Sequence, residues 1–443
     1  MKSHAQLADM GLGKLPSTYF EDKSGLNYRF YVAEDIVKAG GRPPVTFDDE
    51  MQSTILDFYS DIDRVALYVH VPWCVETCTY CYYWGKVESK SQMAQLFNAE
   101  KEHLKLIGSK IDIENKEIPS IYFGGGTPTV LPVELLEEYL DFFVGRFADS
   151  ATEVCSEASI SSLTAEKISI MKKYVTRLSL GVQTFSDRLL KAVARSFTAD
   201  KAKEVIRTAV ENFHSVNIDL IYGLQNQTMA DWIDAIQEAI RLEVPSVTLY
   251  RLEIRVPMMI QEYRKDQSTF PDEITCREMR HRARYLLEQA GYRENLVGWF
   301  VKSKVTDTVV YRERWARQTP CLAFGPGVHN YGSDYFYYNT LDKDEYIARV
   351  ERGSLPVHKI YCMQDKEQLL WFIIAQWKSN LPVYLNEIRA RFGAEGESFL
   401  RTVAGDFSKW NLLSISDEGF VLTDGGKSIL EWMICDMMRR IFA

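Results

Sequence analysis

From about residue 64 the chain alternates short runs rich in β-branched and aromatic residues with longer stretches whose apolar positions recur at helical spacing. VALYVHVPW (65–73), SIYFGGG (120–126), TEVCSEAS (152–159), TRLSLGVQ (176–183), VNIDLIYGL (216–224) and SVTLYRLEI (246–254) predict strands. Between them, the stretch from Ser89 to about Gly108, VELLEEYLDFFVGRF (133–147), TAEKISIMKKY, SDRLLKAVA with TADKAKEVIRTAVENF, and MADWIDAIQEAI predict helices. Six strands, each followed by a helix, imply parallel pairing through right-handed crossovers. The span of about 190 residues is short for the eight units of a full βα barrel and fits an incomplete (β/α)6 barrel, an α/β fold. Several of these runs end in Gly, Gln, Glu or Asp, at the strand ends where a βα barrel carries its functional groups.

The flanks read differently. Residues 1–60 hold little periodicity beyond DEMQSTILDFYSDI and predict an extension packed on the barrel. The barrel with a C-terminal elaboration is expected over 61–345, and a mostly helical domain over 346–443, with KEQLLWFIIAQW (366–377) as an apolar helix. NLLSISDEGFVLTDGGKSILEWMICDMM (411–438) has the pattern strand, turn, strand, helix, which is winged-helix-like. With no basic excess there, a lid or docking role fits better than DNA reading.

Composition narrows the class. The 443 residues are 46% hydrophobic and 12% aromatic, enough for a large core, and the net charge of −9 argues against a broad nucleic-acid footprint. No apolar run is long enough to span a membrane, and the N-terminus lacks the apolar core of a secretory signal, so a cytoplasmic location is expected. A disulfide framework is not expected from the eight cysteines.

Three of those cysteines, Cys74, Cys78 and Cys81, form C-x3-C-x2-C just after the first strand. A zinc site usually draws four ligands in two pairs. Three thiolates instead suit three irons of a [4Fe–4S] cluster, leaving the fourth iron open to a small chelating ligand. The spacing resembles that of the radical S-adenosylmethionine (SAM) superfamily, and YVHVPWCVETCTYC (68–81) resembles the Y-x-H-[IV]-P-x-C-x3-C-x-[FY]-C signature of its coproporphyrinogen III oxidase-like (HemN-like) subfamily. The resemblance continues through YFGGGTPT (122–129), EVCSEAS, RLSLGVQTF (177–185), DLIYGLQNQT (219–228) and CLAFGPGVHNY (321–331).

The resemblance implies a [4Fe–4S] cluster on the three cysteines and two SAM molecules, one chelating the cluster and one beside it. By the same resemblance Tyr68, the loop of Gly124, Gly125, Gly126 and Thr127, and Glu157 contact the first SAM, while Gln183, Arg195 and Asp219 contact the second. Read from the residues alone, a glycine run at a strand end lets a backbone approach a ligand closely. Strand-end Glu, Gln and Asp suit ribose hydroxyls, and an arginine suits a carboxylate. Glu157 and His329 are candidate catalytic groups, His329 as a proton acceptor or substrate contact. Tyr82, Tyr83 and Trp84 are placed to shield a cluster.

Where the oxidases of the subfamily carry a further cysteine two places after the third, this chain has Tyr83. With the N-terminal extension and C-terminal helical region, this most resembles the class C radical SAM methyltransferases. The expected reaction is then transfer of a SAM-derived one-carbon unit, as methylation or cyclopropanation, to an sp2 carbon of a small molecule or tetrapyrrole. Oxidative decarboxylation of a coproporphyrinogen-like substrate and haem delivery are the alternatives. The expected partners are an unsaturated or aromatic small molecule and a one-electron reductant such as flavodoxin or ferredoxin, with no nucleic acid and no membrane.

Overall fold

The computed structural model describes residues 4–16, 19, 32–81, 85–302, 309–332, 334–416 and 419–443. Six strands, β1 (Ala66–Val71), β2 (Ser120–Gly125), β3 (Glu153–Ser159), β4 (Arg177–Gln183), β5 (Ser215–Tyr222) and β6 (Ser246–Arg251), pair in chain order and in parallel. Each coincides with a run read from the sequence. The crossover helices fall where the periodicity puts them, at Lys90–Gly108, Val133–Phe147, Ala165–Met171, Asp187–Ala192 with Ala199–Asn212, and Met229–Arg241. Four of them start at a Ser or Thr whose hydroxyl accepts from a first-turn N–H: Ser89, Thr164, Thr198 and Thr228. Such a cap satisfies a donor that the helix cannot, and so fixes where each crossover begins.

The alternation along the strands decides the two faces of the sheet. In β5, Val216, Ile218 and Leu220 are buried in the main core against the helices. Asn217 and Asp219 have the opposite parity and point into the lumen with Ser179 of β4 and Thr248 of β6. The barrel therefore has an apolar outside under its helices and a polar inside.

The barrel is left open, and the sheet runs on at both edges. Beyond β6 come β7 (Tyr292–Leu296) and β8 (Trp299–Lys302), an antiparallel pair with β8 against β6. Beside β1 lies β9 (Cys321–Phe324), parallel to it, followed by the antiparallel strands β10 (His329–Tyr331), β11 (Tyr335–Asn339) and β12 (Val357–Cys362). The whole is one 12-stranded sheet in the order β12-β11-β10-β9-β1-β2-β3-β4-β5-β6-β8-β7. β12 lies past residue 345, in the stretch read as mostly helical.

A second core fills the open side. Its centre is the helix Asp365–Lys378, whose Leu370, Ile373, Ile374 and Trp377 are buried. That helix ties to the β7–β8 turn, where the Val297 N–H donates to the Lys378 carbonyl at 3.0 Å, and to the segment before β9, where the Gln376 amide donates to the Ala316 carbonyl at 3.0 Å. β13 (Leu413–Ser416), β14 (Gly419–Leu422) and the helix Leu430–Phe442 supply the strand, turn, strand, helix pattern. The N-terminal segment divides between the two cores. Ile55, Leu56 and Tyr59 of the helix Asp49–Asp61 pack on the barrel. Leu7, Met10, Leu12, Ile36 and Val37 pack instead with the C-terminal core, because that is where unpartnered apolar surface remains. Among the described residues, no helix is long and apolar enough to cross a membrane.

Candidate functional site

The three cysteines lie on the loop that follows β1, at the C-terminal end of the barrel. The loop is held by its own backbone: the Cys74 N–H donates to the Gly85 carbonyl at 2.9 Å and the Cys81 N–H to the Cys78 carbonyl at 3.2 Å. It is also held from outside by Glu76, a residue that the sequence reading passed over. One carboxylate oxygen of Glu76 accepts from the Ser161 hydroxyl at 2.6 Å and the Ser196 N–H at 2.9 Å, while the other pairs with Arg195 at 2.9 Å. Arg195 also donates to the Tyr80 hydroxyl at 3.0 Å, so one guanidinium grips the cysteine loop at two points. Burial pushes the Cys74 and Cys78 thiols up, and the Arg195 charge pulls both back toward the thiolate.

The glycine loop packs directly on the cysteine loop. Gly126 donates its N–H to the Val71 carbonyl at 2.8 Å, and a Cβ on it would stand 2.5 Å from the Trp73 carbonyl oxygen. Gly125 has φ of +110°, and a Cβ there would run into the His70 ring at 2.3 Å. The close approach that the glycines permit is thus first of all loop against loop and loop against imidazole. Thr127 puts its hydroxyl 3.5 Å from the Cys74 sulfur.

Glu157 fastens the glycine loop from β3. It accepts from the Tyr122 hydroxyl at 2.7 Å and from the Gly125 N–H at 3.2 Å. Burial raises its pKa to about 7, with the nearby Asp219 adding to the rise and the Tyr122 bond opposing it. Tyr68 stacks on Tyr122 with ring centroids 5.7 Å apart, and its hydroxyl lies 3.4 Å from His70 Nδ1. Burial lowers the His70 pKa to about 4, so this imidazole is neutral at physiological pH.

Gln183, Arg195 and Asp219 converge on Gly181. Asp219 is the register partner of Gly181 on the adjacent strand, and a Cβ on Gly181 would lie 3.0 Å from the Gln183 amide nitrogen and 3.1 Å from Arg195. Gln183 ends β4 with φ of +71°, an uncommon conformation that turns the chain out of the strand. Asp219 accepts from Asn217 at 2.8 Å, and burial raises its pKa to about 6 while Arg177 opposes the rise. Two further groups came into view only with the register: Arg177 and Tyr122 are both cross-strand neighbours of Cys155 and face the lumen with it.

His329 is on β10, four strands across the sheet from Glu157, yet near enough to His70 to feel its charge. Its ring meets Tyr338 edge-on at 4.1 Å, with the Tyr331 hydroxyl 3.4 Å from Nδ1. Burial, with Arg314 adding to it, lowers its pKa to about 3. Tyr82, Tyr83 and Trp84 lie outside the described residues.

Residues 68–239 match the family model of the radical SAM superfamily. The haem chaperone HemW of Buchnera aphidicola subsp. Acyrthosiphon pisum is 30% identical over 370 residues, covering 81% of this chain and 92% of that protein. The chain belongs to the radical SAM superfamily, in its HemN-like branch. The oxygen-independent coproporphyrinogen III oxidase of Helicobacter pylori (strain J99) is 24% identical, covering 83% of this chain and 84% of that enzyme. Among solved structures, coproporphyrinogen III oxidase (HemN) of Escherichia coli shares the fold with a TM-score of 0.77 at 19% identity, over 88% of this chain and 93% of that one.

As a radical SAM protein the chain uses a [4Fe–4S] cluster and SAM. The donor set fits. Three sulfur donors sit on a closed loop beside a buried cation that favours thiolates, and a glycine loop lies against them. Among the described residues, no three His, Cys, Asp or Glu side chains are grouped to hold a single metal ion. A four-iron cube asks for something different, thiolates spaced across its own width.

Proposed function

We propose that this chain is a radical SAM enzyme that removes a hydrogen atom from a conjugated small molecule of the tetrapyrrole class held in the barrel lumen. The observation that carries the reading is the joining of the two loops, Cys74 to Thr127 and Gly125 to Glu157, at the mouth of a polar barrel. The haem chaperones and oxidases among its relatives support the tetrapyrrole class over methyl transfer. Cys74, Cys78 and Cys81 would hold the cluster, which would supply the one-electron chemistry that reductive SAM cleavage needs. In this reading Tyr68, the Gly124 to Thr127 loop and Glu157 hold that SAM. Glu157 keeps an acceptor lone pair for a ribose hydroxyl even while bonded to Tyr122 and Gly125.

A second reading, one-carbon transfer with two SAM molecules, is supported by the convergence of Gln183, Arg195 and Asp219 on Gly181. Anaerobic turnover with deuteromethyl-SAM and coproporphyrinogen III, beside a parallel sample offered haem, separates the readings. Loss of carbon dioxide with deoxyadenosine supports oxidation. S-adenosylhomocysteine with a deuterated product supports one-carbon transfer. Haem bound without any product supports delivery instead.

The Glu157 assignment has a pH signature. Its folded pKa of about 7 lies above the usual carboxylate value, so the carboxyl holds a proton at pH 6 and is ionised by pH 8. A ribose hydroxyl donates better to the ionised form, so SAM affinity should rise between these pH values. Isothermal titration of the reconstituted protein across that range should show the rise, and Glu157→Gln should flatten it. A wild-type profile as flat as that of the variant would count against the contact.

A further inference from the structure

On the lumen side of β4, Arg177 is 2% exposed and donates from one terminal nitrogen, Nη1, to the Cys155 sulfur at 3.2 Å. Among the described residues its Nε and Nη2 have no hydrogen-bond partner, and no carboxylate lies in ion-pair contact with it. Those two nitrogens lie on one edge of the guanidinium, the edge that grips a carboxylate with two parallel N–H bonds. An arginine keeps its charge when buried, so a cation with its binding edge empty is a standing demand for an anion. Glu153, Glu157 and Asp219 lie near enough to feel its charge, but none hydrogen-bonds to it: Glu157 is bonded to Tyr122 and Gly125, and Asp219 to Asn217.

The surroundings define the shape of the missing partner. An arc of rings runs from β2 to β6, with Tyr122 and Tyr311 centroids 6.1 Å apart, Tyr311 and Trp299 4.9 Å, and Trp299 and Tyr250 5.7 Å. Tyr250 remains 40% exposed, although burial holds its hydroxyl pKa well above the ordinary value. This end of the arc is therefore open to solvent. Along β4, the Arg177 backbone lies four residues, about 13 Å, before Gly181, while its guanidinium still acts electrostatically on Asp219.

We propose that Arg177 anchors a carboxylate of the substrate on the floor of the barrel, with the flat body of that molecule lying along Tyr122, Tyr311, Trp299 and Tyr250. The substrate class is then a planar, unsaturated carboxylate, bound acid end down so that its carbon skeleton rises toward the cysteine loop. This rests on the reading that the lumen holds the small molecule acted upon.

The test uses 1-naphthoate and its uncharged amide, 1-naphthamide, titrated calorimetrically into the reconstituted full-length protein. Wild type should prefer the acid by at least about tenfold, the size of one charge-assisted bidentate contact. Arg177→Met, close in volume but uncharged, should bind acid and amide alike, and Arg177→Lys should keep part of the preference. Melting curves separate loss of binding from loss of fold, because removing a buried unpaired charge should leave the melting temperature unchanged or higher. Equal binding of acid and amide by wild type overturns the proposal, as does a folded Arg177→Met that still prefers the acid. Should Arg177→Met fail to fold, the wild-type and Arg177→Lys titrations decide alone. The probes need no turnover. A wild type that discriminates the acid yet forms no deoxyadenosine would leave the anchor standing and remove the catalytic reading.

Discussion

Cys78→Ala should abolish the reductive cleavage of SAM and strip the protein of its iron–sulfur absorbance. Each of the three thiolates is one corner of the cluster's attachment, and alanine offers no donor in its place. Cys78 is also buried in the loop, so neither solvent nor an exposed neighbour substitutes for it readily. The same loss is expected for Cys74→Ala and Cys81→Ala. Cys362→Ser, at an exposed position on β12, should retain both cluster and activity, and so controls for general damage. The measurement is anaerobic reconstitution, followed by the visible spectrum, bound iron and sulfide, and deoxyadenosine formed with dithionite. A Cys78→Ala protein that still yields deoxyadenosine at the wild-type rate would remove the three-cysteine attachment.

The parts of this site that could be read from the sequence are those with short-range signatures. The cysteine spacing, the glycine run and the six strand ends all lie within a few residues of chain, and periodicity marks the helices between them. Arg177 and Tyr122 belong to the same strands but were legible only as strand residues. Whether a side chain faces lumen or helix depends on the parity fixed by pairing, here Tyr122 to Cys155 to Arg177. Glu76 was hidden for another reason. It sits between two cysteines, and its partners Ser161 and Arg195 are 85 and 119 residues away. The extension showed the same limit. Ile36 and Val37 are visibly apolar, but which core they enter depends on where the sheet leaves surface uncovered. Strands β7 to β11 were legible only as an elaboration of the barrel, and β12 fell in the stretch read as mostly helical, since each is three to six residues long and too short for a clear period.

Arg195→Ala should reduce affinity for a second SAM by about 2–3 kcal/mol, roughly a factor of 30–150, under the two-SAM reading. The single substitution has a second effect, because Arg195 and Glu76 form an ion pair at 2.9 Å whose side chains are only 10% and 7% exposed. Removing the arginine leaves the Glu76 charge buried without its partner and loosens the cysteine loop. Deoxyadenosine formation should therefore fall as well, for a reason unrelated to the second SAM. The double variant Arg195→Ala/Glu76→Gln separates the two effects. Glutamine keeps a carbonyl oxygen for Ser161 and the Ser196 N–H, and it turns an uncharged amide toward the vacated space. If Arg195 only braces the loop, the double variant should recover both deoxyadenosine and product. If Arg195 also holds a second SAM, deoxyadenosine should recover while S-adenosylhomocysteine and one-carbon product remain lost. Recovery of all three to wild-type levels would confine Arg195 to bracing the loop and leave Gln183 and Asp219 too few to hold a second methionyl carboxylate.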